Sequence, residues 1–157
     1  FSKYVNDMIP KEVTVMVWDG GFQTAQSLLQ SGFSIINCSW IPNYIVRPTW
    51  YYSTRDSYNW DVYSFGSISE SSAYYNNCTR IDSTDAVLGG QLHAWGDTVE
   101  EAFPSLEGGL ADEQMKIRQR LPYVMENTWN RDKRVSYDRM LEAAAYTDAL
   151  CARIIGK

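Results

Sequence analysis

The chain has 157 residues, 45% of them hydrophobic and 21% charged, which excludes a disordered protein and is enough for one ordinary domain. Its formal net charge of −5 argues against nucleic acid as the main partner. The sequence holds no apolar run near the ~20 residues that a membrane span needs. Its three cysteines are widely spaced and form no CxxC pair, so we expect no metal site and no cofactor. The aromatic content of 14% favours recognition by ring stacking, although an aromatic-rich core is the alternative.

The first segments predict a strand, a helix and a second strand. Val13–Trp18 is a continuous β-branched and apolar run, typical of a buried strand. Helix formers follow from Phe22 to Gln30, with one apolar face, and Gly32 is well placed to end that helix. Phe33–Ser39 is a second strand, so the order is that of a parallel βαβ unit.

A long aromatic segment, Trp40–Asp85, follows the second strand. It is too long for a simple loop, so we expect short helices in it, one of them at Asn59–Phe65. A long insertion after the carboxyl end of a strand is where α/β barrels build binding sites. The alternative is a surface excursion that is packed by its own aromatic residues.

The stretch Ala86–Asp97 predicts a buried strand whose last residues open onto a ligand. Gly89 and Gly90 within it indicate a bulge or a close approach of another group to the backbone. Trp95 followed by Asp97 suits a sugar, because a ring stacks on the C–H face of a pyranose while a carboxylate accepts hydrogen bonds from its hydroxyls. The alternative is a core strand in which Trp95 only packs and Asp97 caps the next segment.

The last third of the chain predicts helices. We expect a flexible break at Gly108-Gly109, a helix over Ala111–Arg120, and a restart or kink at Pro122 that continues to Trp129. Ser136 is a plausible cap for a last helix. Its apolar stripe should face a core and comprises Met140, Leu141, Ala144, Ala145, Cys151, Ile154 and Ile155.

Three parallel strands, each followed by helical material, make this an α/β chain. They suit the last part of a (β/α)₈ barrel, and a three-stranded α/β sandwich is the alternative.

Four motifs stand in a recognisable order. Val13–Trp18 is a strand that ends in tryptophan, and Ile35–Tyr44 is a strand that runs into an aromatic loop. Val87–Asp97 contains Gly-Gly-x-x-x-x-Trp-Gly-Asp, and Arg120–Trp129 contains Arg followed by Glu-x-x-Trp. Together they resemble the C-terminal half of the catalytic barrel of glycoside hydrolase family 20, the β-N-acetylhexosaminidases. The resemblance implies that residues 1–157 form a partial TIM (β/α)₈ barrel, strands six to eight with their helices.

The resemblance also implies an activity, which is the exo-hydrolysis of terminal β-linked N-acetylglucosamine or N-acetylgalactosamine. In this family the acetamido oxygen of the substrate attacks the anomeric carbon, and a neighbouring Asp-Glu pair orients that group and acts as general acid and base. The pair belongs to the fourth strand, which would lie upstream of Phe1, so no catalytic residue is expected in this chain. The alternatives are a non-catalytic glycan-binding half-barrel and an unrelated small α/β protein.

The resemblance assigns the substrate-binding residues one by one. Trp18 and Trp95 would line the acetamido pocket, and Asp97 would replace the family's hydroxyl-binding Glu with a shorter side chain. The family's Tyr-x-Asp is not intact, because Pro42-Asn43-Tyr44 stands in its place. Tyr44 would donate to the acetamido oxygen, and Asn43 is the candidate for the orienting Asp.

Other residues receive supporting roles. We expect His93 to pack or to bond behind the site, and Arg120 to form an ion pair with Glu126. An aromatic set in the long segment would form outer subsites or pack the loop, and comprises Trp40, Trp50, Tyr51, Tyr52 and Trp60. The expected partners are N-acetylhexosamine-terminated glycans. Because a half-barrel exposes sheet edges and an apolar face, we also expect the missing N-terminal half or a second copy as a partner.

Overall fold

The computed structural model describes residues 7–19, 23–46, 52–66, 78–96, 103–130, 132 and 135–155. The described strands are β1 (Thr14–Val17), β2 (Ser34–Asn37), β3 (Tyr44–Ile45), β4 (Ser64–Gly66), β5 (Cys78–Arg80), β6 (Val87–Gly90) and β7 (His93–Ala94). The described helices are α1 (Ala25–Gln30), α2 (Trp40–Asn43), α3 (Thr54–Asn59), α4 (Leu106–Trp129) and α5 (Tyr137–Ile155). None of the described helices is long and apolar enough to cross a membrane.

The main sheet has the order β1-β2-β6 among the described strands, and both pairings are parallel. This confirms the three predicted parallel strands and the βαβ unit, in which α1 connects β1 to β2. The Thr24 side chain accepts a hydrogen bond from the amide of Ser27 and so caps α1. Gly32 follows α1 with a φ of +86°, the left-handed conformation that favours glycine at a helix end.

The hydrophobic core covers one face of this sheet. Val17, Ile35 and Val87 point into it from the three strands, where Ala25 and Leu28 of α1 and Val124 of α4 pack against them. The opposite face is open, with Met16 and Leu88 exposed by 48% and 57%. The expectation of buried strands at residues 13–18 and 86–97 is therefore wrong for this face in the part of the chain that the structure describes. A parallel sheet usually has both faces covered, and here the described residues cover one.

The long segment folds differently from the prediction. The helix expected at residues 59–65 is wrong: helix α3 ends at Asn59, and β4 begins at Ser64 and pairs antiparallel with β5. The helix starts earlier because Ser53 and Asp56 form a reciprocal capping box. Residues 86–96 also form two strands where the sequence predicted one over 86–97, because β7 leaves the main sheet and pairs in parallel with β3.

Helix α4 is continuous from Leu106 to Trp129, so the break expected at Gly108-Gly109 is wrong and Pro122 lies inside the helix. Ser105 starts the helix before the glycines by accepting a hydrogen bond from the amide of Gly108 at 3.1 Å. The two glycines therefore lie in the first turn, where a capping bond offsets their low helix propensity.

The prediction that the apolar stripe of α5 faces a core is wrong. Met140 is buried, but Leu141 and Cys151 are exposed, and Ile154 is 75% exposed. Helix α5 contacts α4 near its start, where Tyr137 stacks on Tyr123 at 5.7 Å between ring centroids. The pattern identified an apolar face correctly, but the described residues cover only its first turn.

The predicted ion pair between Arg120 and Glu126 is also wrong. The buried guanidinium of Arg120 donates to the backbone oxygens of Tyr52 and Lys116, and so ties the segment before α3 to α4. Glu126 instead accepts a hydrogen bond from Asn130 one turn later.

Candidate functional site

A cavity of about 540 Å³, which we call the aromatic pocket, lies at the carboxyl ends of β1, β2 and β6 and beside β3 and β7. The carboxyl ends of parallel strands are where α/β folds place their ligands. The pocket is lined by Met16, Trp18, Cys38, Trp40, Tyr44, Val46, Gln91, His93 and Trp95.

Strand alternation places these side chains in the wall. All nine fall into runs spaced by two residues, such as Met16 with Trp18 and Cys38 with Trp40. Successive side chains of a strand point to opposite faces, so each run presents one face of its segment to the pocket. The same alternation sends the intervening Val17 into the core.

A β-bulge turns the last of the four runs, Gln91, His93 and Trp95, toward the pocket. Ile35 pairs with Val87, but Ile36 pairs with Gly89, so Leu88 is an extra residue on β6. Without it, the alternation would turn Gln91, His93 and Trp95 to the core side, where Val87 lies. Gly89 adopts a φ of +156°, and a Cβ on Gly90 would lie 2.2 Å from Cη2 of Trp60. Both glycines thus meet the expectation of a bulge and a close approach.

The aromatic rings of the pocket form a stack. The ring of Tyr44 lies between those of Trp40 and His93, with centroid distances of 4.4 Å and 4.7 Å and interplanar angles of 15° and 28°. The contact with Trp40 spans α2, and the contact with His93 follows from the direct pairing of the two residues across β3 and β7. Tyr44 is therefore buried and held from both sides.

Two tryptophans leave ring surface open to a ligand. Trp18 and Trp95 are 40% and 50% exposed, and both line the pocket. Trp18 lies 6.3 Å from Trp40, and Trp95 lies 6.2 Å from Tyr44 at an interplanar angle of 18°. A flat, partly exposed indole with apolar neighbours can stack on the C–H face of a sugar ring.

The polar groups of the pocket are neutral. Burial, helped by the nearby Cys38 and Asp19, raises the pKa of Tyr44 to about 12, against a hydrogen bond with Trp95 that lowers it. Burial also raises the pKa of the Cys38 thiol to about 12, and Cys38 Sγ donates to Gln91 Oε1 at 3.5 Å. Tyr44 is thus a hydroxyl donor or acceptor, and Cys38 is a poor nucleophile.

His93 combines a place in the wall with a buried, unpartnered atom. Its Nε2 has no hydrogen-bond partner in the described part of the chain, and burial lowers the pKa of its imidazole. The ring is therefore neutral at neutral pH.

The structure brings three of the five predicted binding residues together, because Trp18, Tyr44 and Trp95 line one pocket. Asn43 is fully buried beside Tyr44 but does not line the pocket, and both polar atoms of its amide lack a hydrogen-bond partner among the described residues. Asp97 lies outside the described residues. The binding roles of all five stay predictions.

The aromatic residues of the long segment lie in different parts of the structure. Trp40 lines the pocket, whereas Trp60 packs in the core and Tyr52 bonds to α4 through its backbone. Trp50 and Tyr51 lie outside the described residues.

Sequence reasoning missed Met16, Cys38, Val46 and Gln91 as pocket residues. Each lies two residues from an aromatic side chain of the wall, and that spacing was the available signal. In the part of the chain that the structure describes, no three His, Cys, Asp or Glu side chains form a group that would hold a metal ion.

A comparison with protein families shows to which family the chain belongs. The sequence model of the glycosyl hydrolase family 20 catalytic domain matches residues 1–131. The chain belongs to glycosyl hydrolase family 20. No protein among the curated sequences matches it.

Membership in glycosyl hydrolase family 20 confirms the resemblance seen in the sequence. It supports a glycosidase function in general and a carbohydrate as substrate, and the catalytic domain of this family is a TIM barrel. The described α/β chain, with its sheet of parallel strands and its pocket at their carboxyl ends, is consistent with such a domain.

Proposed function

We propose that this chain forms one wall of the sugar site of an exo-β-N-acetylhexosaminidase, which removes terminal N-acetylglucosamine or N-acetylgalactosamine from glycoconjugates. The observation that carries the proposal is the meeting of Trp18, Tyr44 and Trp95 in one pocket at the strand ends of a family 20 chain. The two exposed indoles would stack on the pyranose and its acetamido methyl group, and the buried Tyr44 hydroxyl would hold the acetamido oxygen.

In this proposal catalysis is substrate-assisted and retaining. The acetamido oxygen forms a bond to the anomeric carbon while the glycosidic bond breaks, and a general acid protonates the leaving oxygen. The wall contributes orientation and the exclusion of water, which favour the attacking geometry. Its nine lining residues include no carboxylate among the described part of the chain, so the proton must come from elsewhere. We assign it to an Asp-Glu pair supplied by residues upstream.

We further propose that residues 1–157 are strands six to eight of the catalytic barrel with their helices. The open face of the main sheet supports this, because Met16, Trp18 and Leu88 stand on it with their apolar side chains exposed. In a closed barrel that face would be the interior, filled by side chains from all strands. The occupant that we propose for it is the N-terminal half of the barrel, and a second copy of the chain is the alternative.

Two measurements on the purified chain test the proposal. The first is hydrolysis of an aryl β-N-acetylglucosaminide, and the second is binding of N-acetylglucosamine-thiazoline, which mimics the cyclised acetamido intermediate. Binding without turnover is the expected result. Turnover would place a general acid within residues 1–157 and contradict the half-barrel assignment. If neither occurs, and a longer chain with the upstream residues restores neither, the proposed function is wrong.

A matched pair of tryptophan variants ties binding to the pocket. Trp95→Ala removes an exposed pocket ring, whereas Trp129→Ala removes a ring that is 80% exposed at the end of α4 and does not line the pocket. We expect Trp95→Ala to weaken thiazoline binding at least about tenfold, because the loss of one stacked ring costs about 1.5 kcal/mol or more. Trp129→Ala should leave binding unchanged, and equal losses in both variants would contradict the site.

One observation favours a second candidate function. Because the described wall holds rings and neutral polar groups but no carboxylate, it suits a glycan-binding module that lacks catalysis. A longer chain that binds the thiazoline tightly and never hydrolyses the aryl glycoside would favour this alternative.

A further inference from the structure

The sequence contains a single histidine, His93, and it lies in the wall of the aromatic pocket. It is the residue of β7 that pairs directly with Tyr44 of β3, and its ring lies 4.7 Å from that of Tyr44 between centroids. Trp40 stacks on Tyr44 at 4.4 Å, so the phenol ring is held between two others. The position of the Tyr44 hydroxyl therefore depends on His93 remaining in place.

Protonation of His93 would disturb this stack. Nε2 is buried and has no hydrogen-bond partner among the described residues, so a proton on it would become a buried donor without an acceptor. A buried donor without an acceptor destabilises the state that contains it, and more so when the donor is charged. A cation above the Tyr44 ring would gain attraction from the π-system. Desolvation by burial opposes this gain and lowers the pKa of His93.

The other titratable groups of the stack do not change charge in the same range. Tyr44 and Cys38 are both raised to a pKa of about 12, so they stay neutral well above neutral pH. The Asp19 carboxylate acts on Tyr44 from the loop after β1 and contributes to its raised pKa. Asp97 lies outside the described residues. A change in the pocket below the ordinary imidazole pKa of about 6.5 is thus expected from His93.

We propose that His93 is a positioning residue for sugar binding: its neutral ring holds Tyr44 against Trp40, and its protonation releases Tyr44 and weakens binding. The inference rests on the proposed function, since it takes an N-acetylhexosamine as the ligand of the pocket. His93 acts through Tyr44 and need not touch the ligand.

Calorimetric titration with N-acetylglucosamine-thiazoline from about pH 8 down to the lowest pH at which the protein stays folded tests the inference. We compare the wild type with His93→Phe, which keeps a ring in the stack but cannot be protonated, and with His93→Ala, which removes the ring. The wild-type Kd should rise about tenfold for each pH unit below the pKa of His93, as expected for one proton. The thiazoline's own titration and that of Asp97 are common to all three proteins, so the difference between slopes reports His93.

His93→Phe should lose the additional slope, whatever its affinity at about pH 8. His93→Ala should bind more weakly at every pH, also without that slope. A His93→Phe protein that keeps the wild-type slope, or a wild type without one, would overturn the inference. If His93→Ala does not fold, the comparison with His93→Phe still decides.

A ligand-free measurement separates this inference from the proposed function. The single imidazole is followed by NMR while the tryptophan emission is recorded over the same pH range. We expect one emission step that coincides with the imidazole titration and is absent in His93→Phe. If the thiazoline binds at no pH, the proposed function fails while this step still decides the role of His93. An imidazole that titrates without any emission step would overturn the positioning role.

Discussion

Gly90→Ala tests the close approach between β6 and the core. The added Cβ would lie 2.2 Å from Cη2 of Trp60 and 3.1 Å from Cζ3, whereas ordinary van der Waals contacts begin at 3.4 Å. The indole is buried, and its Nε1 donates to the backbone oxygen of Ser64 at 3.2 Å, so it has little room to retreat. Overpacking of this kind costs about 1–3 kcal/mol. For a domain of this size we expect a Tm lower by about 2–12 °C.

Thermal unfolding followed by circular dichroism measures this change, and Gly96→Ala is the matched control because nothing lies within 4 Å of its added Cβ. A double-mutant cycle identifies the cause. Phe at position 60 lacks the outer edge of the indole, so Gly90→Ala should cost less in the Trp60→Phe background than in the wild type. If Gly90→Ala melts together with Gly96→Ala, the contact between Gly90 and Trp60 is not as described.

Four further predictions follow from single contacts. Deleting Leu88 should abolish thiazoline binding because it removes the bulge, whereas Leu88→Ser should retain binding. Asn37→Asp should cost more than about 3 kcal/mol in a urea titration, because the side-chain nitrogen of Asn37 donates to two backbone oxygens at 2.8 Å. The pKa of His93 is lowered, so unfolding stability should fall as pH drops below about 6.5, and His93→Phe should lose that dependence. Met140→Ala should cost about 2–5 kcal/mol and Ile154→Ala less than about 0.5 kcal/mol, since only Met140 is buried.

Local sequence patterns predicted the elements that are stabilised by residues close to one another in the sequence. The β-branched run before Trp18, the apolar face of α1 and the glycine at position 32 each carry their own physical reason, and all three are confirmed. The antiparallel pair of β4 and β5 was missed because its strands are three residues long and depend on pairing with each other across an intervening segment. The start of α4 was misplaced because a capping serine outweighs two glycines of low propensity.

Helix α5 shows a different limit of sequence patterns. An apolar stripe tells which face of a helix avoids water, but it does not tell which segment covers that face. Met140 meets the body of the chain, whereas Ile154 at the other end of the same stripe stays exposed in the described structure. The open face of the main sheet shows the same limit. Met16 and Leu88 are apolar, but no described segment covers them.

The sequence predicted only part of the aromatic pocket, because the bulge of β6 decides which side chains face it. Trp18, Tyr44 and Trp95 were predicted through the resemblance to glycoside hydrolase family 20, and Trp95 also because it ends a predicted strand. Strict alternation from Val87, which faces the core, would send His93 and Trp95 to the core as well. The extra residue at Leu88 reverses the alternation: Gly90 then meets Trp60 on the core side, and His93 and Trp95 meet Tyr44 in the pocket. The two glycines were visible in the sequence as the mark of a bulge, but the direction in which the bulge turns the following residues depends on pairing with β2. The placement of His93 and Trp95 in the aromatic pocket thus depends on one unpaired residue, Leu88, earlier in the same segment.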